Sequence, residues 1–257
     1  EYGMGLLVDF HYSDFWADPS KQQAPKAWKS MSLEERQQAI YDYTVESLLA
    51  LREAGVQVDM VQIGNEVTKG FCGETSVPRR YALMASAAQA VRDTDGDIQI
   101  VVHYTNPETE KFSTIAATLE VYGVDYDIFA TSYYPYWHGS LENLTRQLQS
   151  VVERSGKRVM VAETSYAYTV QDTGGHGNSI GDQPTYDKPY PFTVQGQSRE
   201  LRDVIAAVAS LGDSAVGVFY WEPGWICVPA ASWESRSGEW ERYGSGWARS
   251  YAAEYDP

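Results

Sequence analysis

Cysteine is almost missing from this sequence. Two residues, Cys72 and Cys227, are too few for a disulfide-stapled scaffold or a four-thiolate metal site, and only a single bridge between them stays open. Basic residues are sparse as well. Lysine and arginine number 20 against 35 acidic residues, a net charge of −15, so the surface repels phosphate backbones and anionic membranes; nucleic acid is excluded as a partner. No run approaches the ~20 apolar residues that span a bilayer, and nothing reads as a membrane anchor. No apolar run is followed by a phosphate loop of the GxGxxG or GxxxxGK[ST] kind, which removes the usual nucleotide chemistries.

What remains is apolar and aromatic. With 257 residues and 43% hydrophobic composition the chain buries a full core, as one α/β barrel or two small domains, and disorder is excluded. The 8 Trp and 19 Tyr either fill that core or offer flat faces to neutral sugars. The opening EYGMGLLVDF already reads as strand and carries no initiator Met, so the protein is expected to begin upstream.

Apolar runs bounded by turns predict six strands, near residues 4–10, 58–64, 98–103, 125–132, 158–163 and 215–221. Runs such as GLLVDF, IQIVVH and RVMVAE are continuous rather than alternating, as in parallel strands buried on both faces. Helical periodicity fills the gaps. Residues 33–54 are the clearest case, with Ser32 and Glu35 as a capping box, Ile40, Thr44, Leu48 and Leu51 on one face, and Gly55 as the stop. Residues 197–211 repeat the pattern through Leu201, Val204, Ile205, Val208 and Leu211, and 80–94, 108–122, 140–155 and 240–253 complete the series.

Six βα units fit a doubly wound sheet or most of a (β/α)8 TIM barrel, and the polar residues favour the barrel. Nearly every strand ends in chemistry: Asp9 and His11, Asn65 and Glu66, His103 and Tyr104, Ser132 to Tyr134, Glu163 and Ser165, Trp221 and Glu222. A doubly wound sheet would gather such groups at one switch point. Glu66 and Glu163 stand out, because each closes an apolar strand, where a carboxylate is costly unless it is paired or used. Glycosidic bond cleavage needs such a pair, one carboxyl to protonate the leaving oxygen and one to attack or activate water. The bland alternative is a glutamate that holds a neighbouring loop. Beside the acid, the Asn65 amide is placed to hold a sugar 2-hydroxyl.

The strings LLVDFHYSDFWADP, VQIGNE, SYYPYWHG, AETSYAY, FTVQGQ, GVFYWEPGW and YGSGWARSYAAEYDP closely resemble the endo-β-1,4-galactanases of glycoside hydrolase family 53, from end to end. That resemblance implies one catalytic barrel domain over 1–257, incomplete at both ends, whose visible strands are the third to the eighth of a (β/α)8 barrel. It implies Glu66 as acid/base and Glu163 as nucleophile in a retaining double displacement, with the carboxyls about 5 to 5.5 Å apart. Sugar subsites are implied around Asp9, His11, Asp14, Trp16, Asp18, His103, Ser132, Tyr134, Trp137, Trp221 and Glu222. Loop packing remains the alternative for Trp16 and Trp137, and core hydrogen bonding for His103. The expected partner is β-1,4-galactan or arabinogalactan, the pectin side chains, and the expected setting is a secreted, extracellular monomer of bacterial type. No cofactor is needed for the chemistry. A structural calcium is implied in the loop through Asp172, His176 and Asn178, with a Gly-rich surface loop as the alternative. A clan-related mannanase or cellulase, or a non-catalytic carbohydrate-binding barrel, would keep many of the same residues.

Overall fold

The computed structural model describes residues 3–171, 180, 185–221 and 238. Glu222, Cys227, the calcium-loop residues Asp172, His176 and Asn178, and the helix expected at 240–253 lie outside the described residues. Strands β1 (Leu7–Phe10), β2 (Met60–Ile63), β3 (Gln99–Tyr104), β4 (Ile128–Ser132), β5 (Arg158–Thr164) and β6 (Ala215–Tyr220) alternate with helices α1 (Leu33–Glu53), α2 (Val77–Thr94), α3 (Thr114–Val121), α4 (Leu141–Ser155) and α5 (Val194–Ala209). The strands form one sheet in the order β1-β2-β3-β4-β5-β6, and every pairing is parallel. A doubly wound sheet reverses its order at a switch point. Here none occurs, so the strands follow one another as in a (β/α)8 barrel, with six units in view. Among the described residues no helix is long and apolar enough to cross a membrane.

The continuous apolar strands are explained by burial on both faces. Val61, Ile63, Ile100, Val102, Phe129, Val159 and Val161 point into the main core, beneath Ile40 and Leu48 of α1, Met84 of α2, Leu148 of α4 and Val204 of α5. Their alternates Val101, Ile128, Ala130 and Met160 form a second cluster on the opposite face, joined by Leu7, Met60, Ala162 and Val216. Further along this second face, toward the carboxyl ends, the alternation brings up Gln62, His103 and Ser132. These polar side chains are buried too.

Local signals place most helix ends. The Ser32 and Glu35 capping box closes in both directions, at 3.2 and 2.8 Å, and Gly55 follows α1 at φ 78. Helix α3 starts six residues later than periodicity suggests. Asn143 and Gln147 of α4 donate to the carbonyls of Pro107 and Thr109 and hold 107–113 as turns. Helix α5 starts earlier, at Val194. A side chain at Gly196 would meet the Pro191 carbonyl oxygen at 1.8 Å, so the glycine is what lets the helix pack.

Helix α5 also corrects the expected apolar face. Its buried residues are Gly196, Glu200, Val204 and Val208, a stripe at spacing four, whereas Ile205 is 48% exposed. Glu200 is fully buried. Thr164 donates to its Oε1 at 2.9 Å, Oε2 has no partner among the described residues, and burial first, then the Asp203 charge, pushes its pKa up to about 7. A raised carboxyl means that the folded state binds more protons than the unfolded chain, so this group's contribution falls as pH rises from about 4.5 to about 7. The expected loss is roughly 3 kcal/mol across that window. Replacing Glu200→Gln should flatten it, leaving the variant more stable than the parent at pH 8 and close to it at pH 4.5. Urea unfolding at the two pH values measures this, and an unchanged difference between them would refute it.

Candidate active site

The sheet's carboxyl edge is shaped by two local irregularities. After β2 the chain turns through Gly64 at φ 94 and Glu66 at φ 49. A side chain at position 64 would meet Phe71 and Val67 at 2.7 Å, so only glycine fits. The left-handed conformation of Glu66, costly for a residue with a Cβ, lets consecutive side chains, Asn65 and Glu66, face one site instead of opposite sides of a strand. On β4, the register with β5 shifts between Thr131 and Ser132, so that Ser132 pairs with Glu163 rather than Ala162. Such a bulge re-aims side chains at a strand end.

These turns gather a buried polar cluster. Glu66, His103 and Glu163 each bring a donor atom within 4.8 Å of the others. Tyr134 donates its hydroxyl to Glu163 Oε2 at 2.8 Å, and the Asn65 amide also reaches the Glu163 carboxyl. Ser132 Oγ lies 2.6 Å from Glu66 Oε1, and Thr105 supplies Glu66 with a second hydroxyl contact. Burial raises the pKa of Glu66. The Glu163 pKa is raised as well, by burial first and then by the Glu66 charge. Two carboxyls so close and so buried cannot both ionise at neutral pH, and the pair keeps one proton.

The remaining expected residues divide by exposure. His103 and Ser132, expected among the sugar contacts, are fully buried beneath the carboxyls, so they support the pair and do not line the cleft. Both nitrogens of His103 are engaged, Nδ1 with Asn65 Oδ1 at 2.8 Å and Nε2 with Ser132 Oγ at 2.9 Å. This leaves the imidazole no free lone pair for a metal. Asn65 donates to the Ala17 carbonyl at 2.8 Å, which leaves its second amide hydrogen for the Glu163 carboxyl. At the end of β1, His11 accepts from the Ala17 N–H at 2.6 Å and sets Nε2 against Asp9 at 3.2 Å. Asp18 spends Oδ1 on Ser20 and Lys21, but its charge is felt at Glu66. Asp14 accepts from the Lys26 N–H, a bond that ties its own loop. Trp16, Trp137 and Trp221 are each 41% exposed, open enough to stack on a ligand. Trp137 is held against Tyr134, Tyr136 and Tyr186, and the Trp221 backbone N–H donates to the Thr164 carbonyl at 2.8 Å.

The buried polar residues that were not foreseen include Thr105, His138 and Glu200. Thr105 sits just past the end of β3, where a search for hydroxyls beside strand-end carboxyls would find it. Glu200 is four residues before Val204 and eight before Val208, an acid on an apolar stripe. For His138 the sequence carries no such cue, because its place depends on a turn closing back on the Tyr134 N–H.

Paired carboxyls at the carboxyl ends of two strands, three apart in a sequentially wound parallel sheet, have the layout of a barrel glycosidase. The chain belongs to glycosyl hydrolase family 53, whose model matches residues 1–250. The endo-beta-1,4-galactanase of Bacillus subtilis (strain 168) is 53% identical over 257 residues, covering 99% of this chain and 60% of that protein. The arabinogalactan endo-beta-1,4-galactanase of Humicola insolens is 34% identical over 242 residues, 87% of this chain and 69% of its own length. Among solved structures, the Ignisphaera aggregans GH53 catalytic domain superposes with a TM-score of 0.84 at 39% identity, over 90% of this chain and 66% of that one. The chain thus spans about 60% of the length of its Bacillus relative.

Proposed function

We propose that this protein is an endo-acting, retaining hydrolase of β-1,4-galactosidic bonds in galactan or arabinogalactan. The observation that carries the reading is the Glu66 and Glu163 pair, whose nearest oxygens lie within 4.8 Å. Retaining glycosidases hold their carboxyls about 5 to 5.5 Å apart, whereas inverting ones leave about 6.5 to 9.5 Å for a water. The galactanase names of the relatives supply the substrate class.

In the first step Glu66 gives its proton to the glycosidic oxygen while Glu163 attacks the anomeric carbon. The bond to the leaving chain breaks as the bond to the Glu163 carboxyl forms. In the second step the Glu66 carboxylate takes a proton from water, the water oxygen attacks the same carbon, and Glu163 departs as carboxylate. Tyr134 holds Oε2 of Glu163 and orients the attacking group, while Trp137 and Trp221 present ring faces to the sugars. On this reading the enzyme works outside the cell, where a polymer too large to import is met.

Digestion of linear β-1,4-galactan, with products sized by chromatography and the first-formed anomer read by proton NMR, tests the reading. Short oligosaccharides released first as the β-anomer are expected. Galactose alone would overturn endo action, and an α-anomer would overturn retention. Hydrolysis confined to mannan or cellulose would move the substrate to a clan neighbour, and binding without cleavage would make the barrel a carbohydrate-binding protein.

A further inference from the structure

The proton that acid catalysis needs must sit on Glu66, and the hydrogen bonds around that residue can be counted one hydrogen at a time. The count starts at a group with no choice. The Ala17 carbonyl only accepts, so the Asn65 atom at 2.8 Å from it is the amide nitrogen, and Oδ1 faces His103 Nδ1 at 2.8 Å. Gln62 Nε2, at 3.3 Å from the same Oδ1, agrees with that orientation. An amide oxygen carries no proton, so His103 Nδ1 must. Burial holds the ring neutral, with its pKa lowered to about 4, so Nε2 is a bare lone pair 2.9 Å from Ser132 Oγ. Ser132 has one hydrogen, and it goes to His103. Toward Glu66 Oε1, at 2.6 Å, the serine oxygen can then only accept.

A second histidine fixes the other side in the opposite sense. The Tyr134 backbone N–H donates to His138 Nδ1 at 3.0 Å, so that nitrogen is bare. This ring is also buried and neutral, its pKa again lowered to about 4 by burial. Its hydrogen is therefore on Nε2, which donates to Thr105 Oγ1 at 3.2 Å. With its oxygen so occupied, Thr105 keeps its own hydrogen for the Glu66 carboxyl. Glu66 thus meets one acceptor and one donor. A carboxylate wants two donors, whereas a carboxylic acid, with one C=O and one O–H, matches this pair.

We propose that His103 and His138, each held in one tautomer by a backbone-anchored partner, act through Ser132 and Thr105 as positioning residues that keep Glu66 protonated for acid catalysis. The proposal rests on the reading of Glu66 as the acid/base. Ionising Glu66 obliges Ser132 to turn its hydrogen away from His103, which leaves a buried imidazole nitrogen facing an oxygen lone pair. That cost falls on the carboxylate, so it favours reloading: once Glu66 has protonated the leaving chain, the same strain draws a proton back from the incoming water. The charged groups around Glu66 are Asp9 and His11 at the end of β1, Asp18 in the following loop and Glu163 on β5. Their fields act equally on the parent and on hydroxyl variants, so a difference in sign between variants reports the hydroxyls themselves.

The test reads protons directly and needs no substrate. Nitrogen-15 spectra of the intact protein, which has 4 histidines, should show His103 as the Nδ1–H tautomer and His138 as Nε2–H; an Nε2–H or doubly protonated His103 overturns the proposal without any substitution. Carbon-13 titration of the Glu66 carboxyl, identified by its loss in Glu66→Gln, is then compared in Ser132→Ala and Thr105→Val. Removing an acceptor of the acid should lower the Glu66 midpoint, and removing a donor should raise it, each by about one pH unit. If both substitutions raise it, Ser132 donates to a carboxylate and the proposal fails, although galactan hydrolysis would still stand. Opposite shifts in a protein that does not cleave galactan would uphold the network and refute the assigned reaction.

Discussion

Replacing Glu163→Ala should lower turnover of β-1,4-galactan by about four orders of magnitude while leaving galactan binding in place, and added azide should restore turnover with an α-galactosyl azide as product. A covalent nucleophile has no substitute in the site, and losses of this size, equivalent to roughly 5.5 kcal/mol in the barrier, are common when a group that makes or breaks the bond is removed. Alanine opens a space where the carboxyl stood. Azide entering from that side attacks the anomeric carbon once, so the configuration inverts, and no second displacement follows. Binding survives because the exposed rings of Trp137 and Trp221 lie outside the excised group. Galactanase activity that persists in this variant would remove Glu163 from the mechanism. A β-configured azide would instead assign it the acid/base role and exchange it with Glu66.

Much of this arrangement could be read before any coordinates. The strands were legible because both faces of each are buried, which writes a continuous apolar run that few other structures need. Their polar terminal residues were legible for the opposite reason, since Asn65, Glu66 and Glu163 interrupt that run where a charge is expensive. Less visible was everything that depends on contacts across the chain. Helix α3 begins late because α4 side chains claim the carbonyls before it, and α5 begins early because a glycine admits the Pro191 carbonyl. The supporting shell was the hardest to see. His103 carries the same letter whether it touches sugar or lies beneath the carboxyls, and only its full burial, with both nitrogens engaged, decides. Thr105 and His138 acquire meaning through the side on which a hydrogen sits, and no spacing rule encodes that.

Glu66→Ala should divide substrates by leaving group, and this contrast is the strongest separation of the two glutamates. On galactan, whose leaving group is a sugar hydroxyl, loss of general acid assistance should cost about 10² to 10⁴ in kcat/KM. A dinitrophenyl galactobioside leaves as a stabilised phenolate and needs no proton, so the first step should run near the parent rate. Hydrolysis of the glycosyl-enzyme then lacks its base and becomes limiting, which predicts a burst of dinitrophenol followed by slow steady turnover. The pH profile should change with it. In the parent, kcat/KM for galactan falls at high pH as the proton shared by Glu66 and Glu163 is lost, whereas the alanine variant on the activated substrate should lose the limb that reports Glu66. Azide should rescue this variant from the face that Glu66 occupied and give the β-azide, opposite to the product from Glu163→Ala. Equal losses on both substrates would mean that Glu66 only holds the site together, and the proton counted onto it by Ser132 and Thr105 would have no catalytic use.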